Sequence, residues 1–94
     1  MFDIKRGDNG QWRLCGRLDA SQAATVREAL DAITETATID FGELDYISSA
    51  GLGVLLGTQK RLNESGHSII LINMNKHIRD IFHVAGFDLV FEVE

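Results

Sequence analysis

The sequence predicts an α/β fold, a mixed β-sheet with crossover helices, and three observations predict it. Apolar residues alternate with period two from Trp12 to Leu18, they recur at near-helical spacing in later segments, and strand-like and helix-like stretches then alternate along the chain. With 94 residues, 45% of them hydrophobic and 24% charged, residues 1–94 fit one globular domain, with no room for a second. The chain contains no proline, and no linker or internal repeat interrupts it.

The first element is the "FDIK" strand, joined through the turn residues "GDNG" to the strand Trp12–Leu18. On that second strand Trp12, Leu14 and Leu18 share one face, and Arg13, Cys15 and Arg17 the other. After it, Asp19 or Ser21 can cap a helix whose apolar positions are Ala24, Val26, Ala29, Leu30 and Ile33. "ATIDF" reads as a short strand. A second helix runs from Ser49 to about Glu64, with Gly66 as its left-handed C-terminal cap. "HSIILIN" is a continuous apolar strand interior to the sheet. A third helix spans about Lys76–Ala85 and ends at Gly86; "DLVFEV" closes the chain as a strand. The expected order is β-β-α-β-α-β-α-β.

Composition narrows the function. The net charge of −5, with Lys and Arg scattered singly, offers no basic stripe for nucleic acid or anionic membrane. No apolar run approaches the roughly 18 residues of a membrane span, so direct membrane insertion is not expected. The start of the chain lacks the apolar core of a secretory signal, and Cys15 is the single cysteine. Both point to the cytoplasm.

The stretch "DYISSAGLG", residues 45–53, carries the functional question. Two adjacent serines stand at the start of the second helix, and three roles fit them. Ser48 or Ser49 can be the N-cap. A nucleophile elbow needs Gly-x-Ser-x-Gly, and Ile47 occupies the first glycine's place. A dinucleotide fingerprint needs G-x-G-x-x-G, and Gly51, Gly53 and Gly57 are spaced one residue too long. The third role is modification by a partner. Gly51 and Gly53 lower helix propensity, so their bareness serves a close approach, either by this chain's own strand or by a docking protein.

The segment "IDFGELDYISSAGLGVLL" closely resembles the signature of the STAS family of bacterial anti-sigma-factor antagonists. "GRLDAS" looks like that family's element at the end of the second strand, and "HIRDIFHVAGFDLVFEV" is similar to its terminal helix-Gly-strand. The resemblance implies a STAS-like single domain that works as a switch and not as an enzyme. It places the phosphorylated serine at Ser49, with Ser48 as the alternative acceptor. The partner-binding surface falls on Asp19, Ser48, Ser49, Ala50, Gly51, Leu52 and Gly53. The implied partners are an anti-sigma factor with serine kinase activity, which binds the unphosphorylated form, and a serine phosphatase that restores it. ATP belongs to the kinase, and this chain needs no cofactor. A phosphate on Ser49 would be accommodated by the helix's positive end and the free amides of Gly51 and Leu52. The resemblance also admits a phosphorylation-independent STAS subunit of a transport or lipid-trafficking ATPase complex.

Two positions depart from the commonest family pattern. Ser48 stands where an aspartate often precedes the modified serine, and Ala50 where a serine often follows it. Glu43 and Asp45 are loop acids or part of an acidic surface offered to a basic partner. His67, His77 and His83 show no metal-ligand spacing; no metal is expected. Cys15 is a small filler and Trp12 packs against a helix, while Phe82, Val84, Phe87 and Leu89 pin the last helix to the sheet.

Overall fold

Period-two and helical segments become a five-stranded sheet carrying three helices in the computed structural model, which describes residues 2–7 and 10–94. Strands β1 (Phe2–Arg6) and β2 (Trp12–Leu18) pair antiparallel, with Ile4 opposite Leu14. The hairpin is the expected one; Asp8 and Asn9 of its "GDNG" turn lie outside the described residues. The order continues with α1 (Ala23–Leu30), β3 (Ala37–Ile47), α2 (Ser49–Asn63), β4 (Ile69–Ile72), α3 (Lys76–Val84) and β5 (Glu92–Val93). The strands lie side by side in chain order, and the β2–β3, β3–β4 and β4–β5 pairs are parallel. Right-handed crossovers between parallel strands in sequential order put all three helices on one face. The burial pattern agrees: Leu14, Leu18, Ile39, Phe41, Ile69 and Leu71 are buried, while Arg13, Ile70 and Ile72 on the other face are not.

Strand β3 is more than twice as long as "ATIDF", and the reason is local. Arg13 pairs with Asp40 and Cys15 with Glu43, so β3 gains a residue against β2; a second shift separates Gly16–Leu44 from Arg17–Tyr46. Such bulges break the period-two signal. They bring Ile39, Phe41, Leu44 and Ile47, spaced two, three and three apart, all into the core. Asp40 anchors the first shift, its Oδ1 accepting from the Gly42 amide at 2.7 Å and from Asn73 Nδ2 at 3.2 Å. A Cβ on Gly42 would sit 3.0 Å from that same oxygen. Glu43 and Asp45 are therefore strand residues and not loop acids.

Two expectations about the ends of elements fail for physical reasons. Asp19 caps a 3₁₀ turn, Ala20–Gln22, and α1 starts only at Ala23 and stops before Ile33. Ile33 is buried beyond the helix, where Arg61 of α2 donates to the carbonyls of Ile33 at 2.9 Å and Leu30 at 3.1 Å. "DLVFEV" is not a six-residue strand. Phe87–Leu89 forms a 3₁₀ turn after Gly86, which adopts a left-handed φ of 77°. The Phe91 amide donates to the Phe87 carbonyl at 3.1 Å, and a helical turn of this kind is what lets residues four apart face the same way. Phe87 and Phe91 both reach Phe82, with centroids 6.2 and 5.7 Å away, and Phe82 meets Phe41 edge-on at 6.0 Å. That aromatic cluster pins α3 to the sheet. Val84 and Leu89 do not contribute to it, being 86% and 92% exposed.

Candidate functional site

The C-terminal ends of β2 and β3 meet the start of α2, and the two serines part company there. Ser48 is the N-cap: its backbone is extended and its Oγ accepts from the Gly51 amide at 3.1 Å. Its own amide donates to the Leu18 carbonyl at 2.8 Å, and its carbonyl accepts from Leu52 at 2.9 Å. Only 9% exposed, Ser48 is committed on every polar atom. Ser49 is the first helical residue and is exposed; among the described residues its hydroxyl makes no hydrogen bond.

This arrangement corrects the expected phosphate cradle. The Gly51 and Leu52 amides are already engaged by Ser48. The unpaired donors at this helix start, among the described residues, are the amides of Ser49 and Ala50. An N-terminus with free N–H groups still favours an anion.

Gly51 and Gly53 also separate. A Cβ on Gly51 would lie 2.8 Å from Leu18 Cγ and 3.1 Å from Ile47 Cγ1, so its bareness lets α2 seat on the sheet. Gly51 serves internal packing. Gly53 and Gly57 are exposed, and a Cβ on either would meet nothing within 4 Å. With Ser49 and Ala50 they leave the exposed positions of α2 from Ser49 to Gly57 with small residues alone.

Asp19 sits beside Leu18, whose carbonyl holds Ser48, so it belongs to the same end of the sheet. Its Oδ1 accepts from the Ser21 hydroxyl at 2.6 Å and the Ser21 amide at 3.0 Å. The Ser21 hydroxyl bond, more than the neighbouring Arg17 charge, holds the Asp19 carboxyl below the usual range. Arg17 lies over the Tyr46 ring at 4.4 Å, the two being register partners on the same edge.

One side of the site was not legible as such. Ser49 and Leu52 share an open groove of about 450 Å³ with His77, Asp80, Ile81, Val84 and Ala85 of α3 and its C-cap. The groove is mainly apolar, and its single carboxylate, Asp80, accepts from Lys76 Nζ at 2.8 Å. A sequence signal existed: α3 and its C-cap carry apolar residues at 78, 81, 82, 84 and 85, more than one buried stripe accommodates. Ile78 and Phe82 face the core, and Val84 is left at the surface. His67 accepts from the Thr36 amide at 3.2 Å and His83 meets Asp88 at 2.8 Å, both away from Ser49.

Known proteins resemble this chain over nearly its whole length. A sequence model described as "Mlab, STAS domain" matches residues 3–92. The chain belongs to the STAS family. It is 38% identical over 77 residues to BtrV of Bordetella bronchiseptica, named as a candidate anti-sigma factor antagonist, covering 82% of this chain and 63% of BtrV. It is 28% identical over 95 residues to the anti-sigma-B factor antagonist of Bacillus subtilis, covering 97% of this chain and 87% of that one. The chain thus spans somewhat less than two thirds of the length of BtrV. Among solved structures, the Bacillus cell fate determinant SpoIIAA in its phosphorylated form superposes with a TM-score of 0.70 at 22% identity. That match covers 100% of this chain and 91% of SpoIIAA, and it supports the fold.

Proposed function

We propose that this chain is an anti-sigma-factor antagonist switched by phosphorylation at Ser49. The unmodified form docks an anti-sigma factor that is also a serine kinase, and docking frees the sigma factor. The contact surface is the head of α2 with Asp19: Ser49, Ala50, Leu52 and Gly53 meet the partner, and Ser48 and Gly51 hold that surface in place from beneath. The kinase, holding ATP, transfers a phosphoryl group to the Ser49 hydroxyl; a serine phosphatase removes it. The chain acts as a binding module in the cytoplasm.

The observation that carries this reading is the exposed, uncommitted hydroxyl of Ser49 beside the buried cap Ser48. Phosphate on Ser49 adds about −1.5 to −2 charges at neutral pH without touching the cap. The helix start tolerates that charge, whereas a partner would have to desolvate it against the apolar groove. The names of the curated relatives support the same assignment. Mass spectrometry of the protein from its native cells tests it. Phosphate on Ser49 whose occupancy changes with growth condition is expected, with Ser49→Asp losing the kinase and Ser49→Ala binding it constitutively. Phosphate on Ser48 alone, or unchanged affinity of Ser49→Asp, overturns it.

A second reading, a phosphorylation-independent subunit of a transport or lipid-trafficking ATPase complex, draws on the MlaB-type family description. It uses the same bare helix face, and under it the wild-type protein carries no phosphate in any condition and Ser49→Asp still assembles with its ATPase.

A further inference from the structure

Ser49 and His77 line one groove, Ser49 from the first turn of α2 and His77 from the first turn of α3. His77 is exposed, and among the described residues its ring makes no hydrogen bond or ion pair. Asp80 lines the same groove, its carboxyl held low first by the Lys76 hydrogen bond and more weakly by His77. Because Lys76 already serves Asp80 at 2.8 Å, the imidazole is, among the described residues, the uncommitted polar group that faces the Ser49 hydroxyl's side of the groove from α3. Leu52 of α2, with Ile81, Val84 and Ala85 of α3 and its C-cap, supplies the apolar lining of the groove.

We propose that a phosphate on Ser49 is captured within this chain by His77, so that phosphorylation covers the groove as well as charging it. The inference rests on reading Ser49 as the phosphate acceptor. Phosphoserine loses its second proton at a pKa of about 6 and imidazole titrates near about 6.5, so both charged forms coexist near neutrality. A dianion and an imidazolium then form a charge-assisted hydrogen bond across the groove mouth. The phosphate oxygens seated there shield Leu52 and Val84 from any apolar anchor of a partner. The charged groups around His77 are Lys76 and Asp80 on α3 and, on α2, the phosphate itself. Arg17, Asp19 and Asp45 belong to the β2–β3 side and do not line the groove. Lys76 is the rival cation.

The test uses the full chain with phosphoserine installed at position 49 during translation, compared with unmodified protein and with phosphorylated His77→Gln and Lys76→Gln. Circular dichroism checks the fold of each. In NMR titrations the His77 midpoint is expected to rise by about half a unit to one unit on phosphorylation, with His67 and His83 moving less. The phosphorus midpoint should fall, and that fall should vanish in His77→Gln and survive in Lys76→Gln. An unmoved His77 midpoint, or a phosphorus midpoint unchanged by His77→Gln, overturns the capture. Installing the phosphate without a kinase separates the two readings: capture can fail while Ser49 remains the cellular acceptor, and it can be seen even if no kinase uses Ser49.

Discussion

Replacing Ser48 and Ser49 by alanine, one at a time, distinguishes a cap from an acceptor. Ser48→Ala deletes the oxygen 3.1 Å from the Gly51 amide, at a residue only 9% exposed. Losing a serine cap alone destabilises by about 1 kcal/mol. The Gly51 amide is also left without a partner where water has little access, which moves the expected loss to about 1 to 2 kcal/mol. In a domain of this size that lowers the melting temperature by about 4 to 16 °C. Ser49→Ala removes a hydroxyl that bonds to nothing in the described chain and places a good helix former at an exposed position. Its effect should stay within about 0.5 kcal/mol. Thermal and urea unfolding followed by circular dichroism measures both, and phosphorylation by the cognate kinase completes the assay. Ser48→Ala should melt early yet still accept phosphate below its transition; Ser49→Ala should melt like wild type and accept none. If Ser49→Ala is the less stable variant, or the two melt alike, the division of roles between the serines is wrong.

Two further outcomes follow from the same geometry. Gly51→Ala forces a methyl to 2.8 Å from Leu18 Cγ, and overpacking of about 1 to 3 kcal/mol outweighs the gain in helix propensity. Gly53→Ala meets nothing within 4 Å and should stabilise by up to about 1 kcal/mol, as urea midpoints will tell, while weakening any partner that uses the bare face. The third is a pH dependence. The hydrogen bond to Asp88, and then its charge, raise the His83 pKa above its usual value. A raised histidine contributes stability that is full below the unfolded pKa of about 6.5 and is lost as pH rises through the folded value. Melting temperature should therefore decline from pH 6 to pH 8.5 by a small increment that His83→Gln abolishes; an identical decline in the variant refutes the assignment.

Where local rules and the tertiary structure agreed, the sequence was enough. The eight-element order, the extent of α2, the Gly66 and Gly86 turns and the interior position of "IILI" all follow from periodicity and glycine placement. Period two failed on β3 because two bulges near Gly42 and Tyr46 change the phase, and nothing in a single strand's pattern announces its partner's register. It failed on "DLVFEV" because Phe87 and Phe91 satisfy the core through a turn, and an apolar run does not say which backbone delivers it. The α2 side of the site was legible through the resemblance to a known signature. The α3 side was not, since it depends on how far the two helices stand apart.

The departure at position 48 has a physical account that joins fold and site. The signature that this stretch resembles often has an aspartate there, and aspartate and serine are about equally good N-caps, each offering an oxygen to an amide of the first turn. Ser48 keeps that bond, to Gly51, while removing a negative charge from the residue next to Ser49. The helix start thereby loses none of its geometry, and an incoming phosphate meets one fewer like charge. Because a cap side chain folds back over the helix end while the first helical residue points outward, one register step decides which hydroxyl is structural and which is free. Under the proposed function, a kinase acting on Ser49 would therefore rewrite the surface of α2 without breaking the Ser48–Gly51 bond that starts it, and the fold would bear no cost of the modification or of its removal.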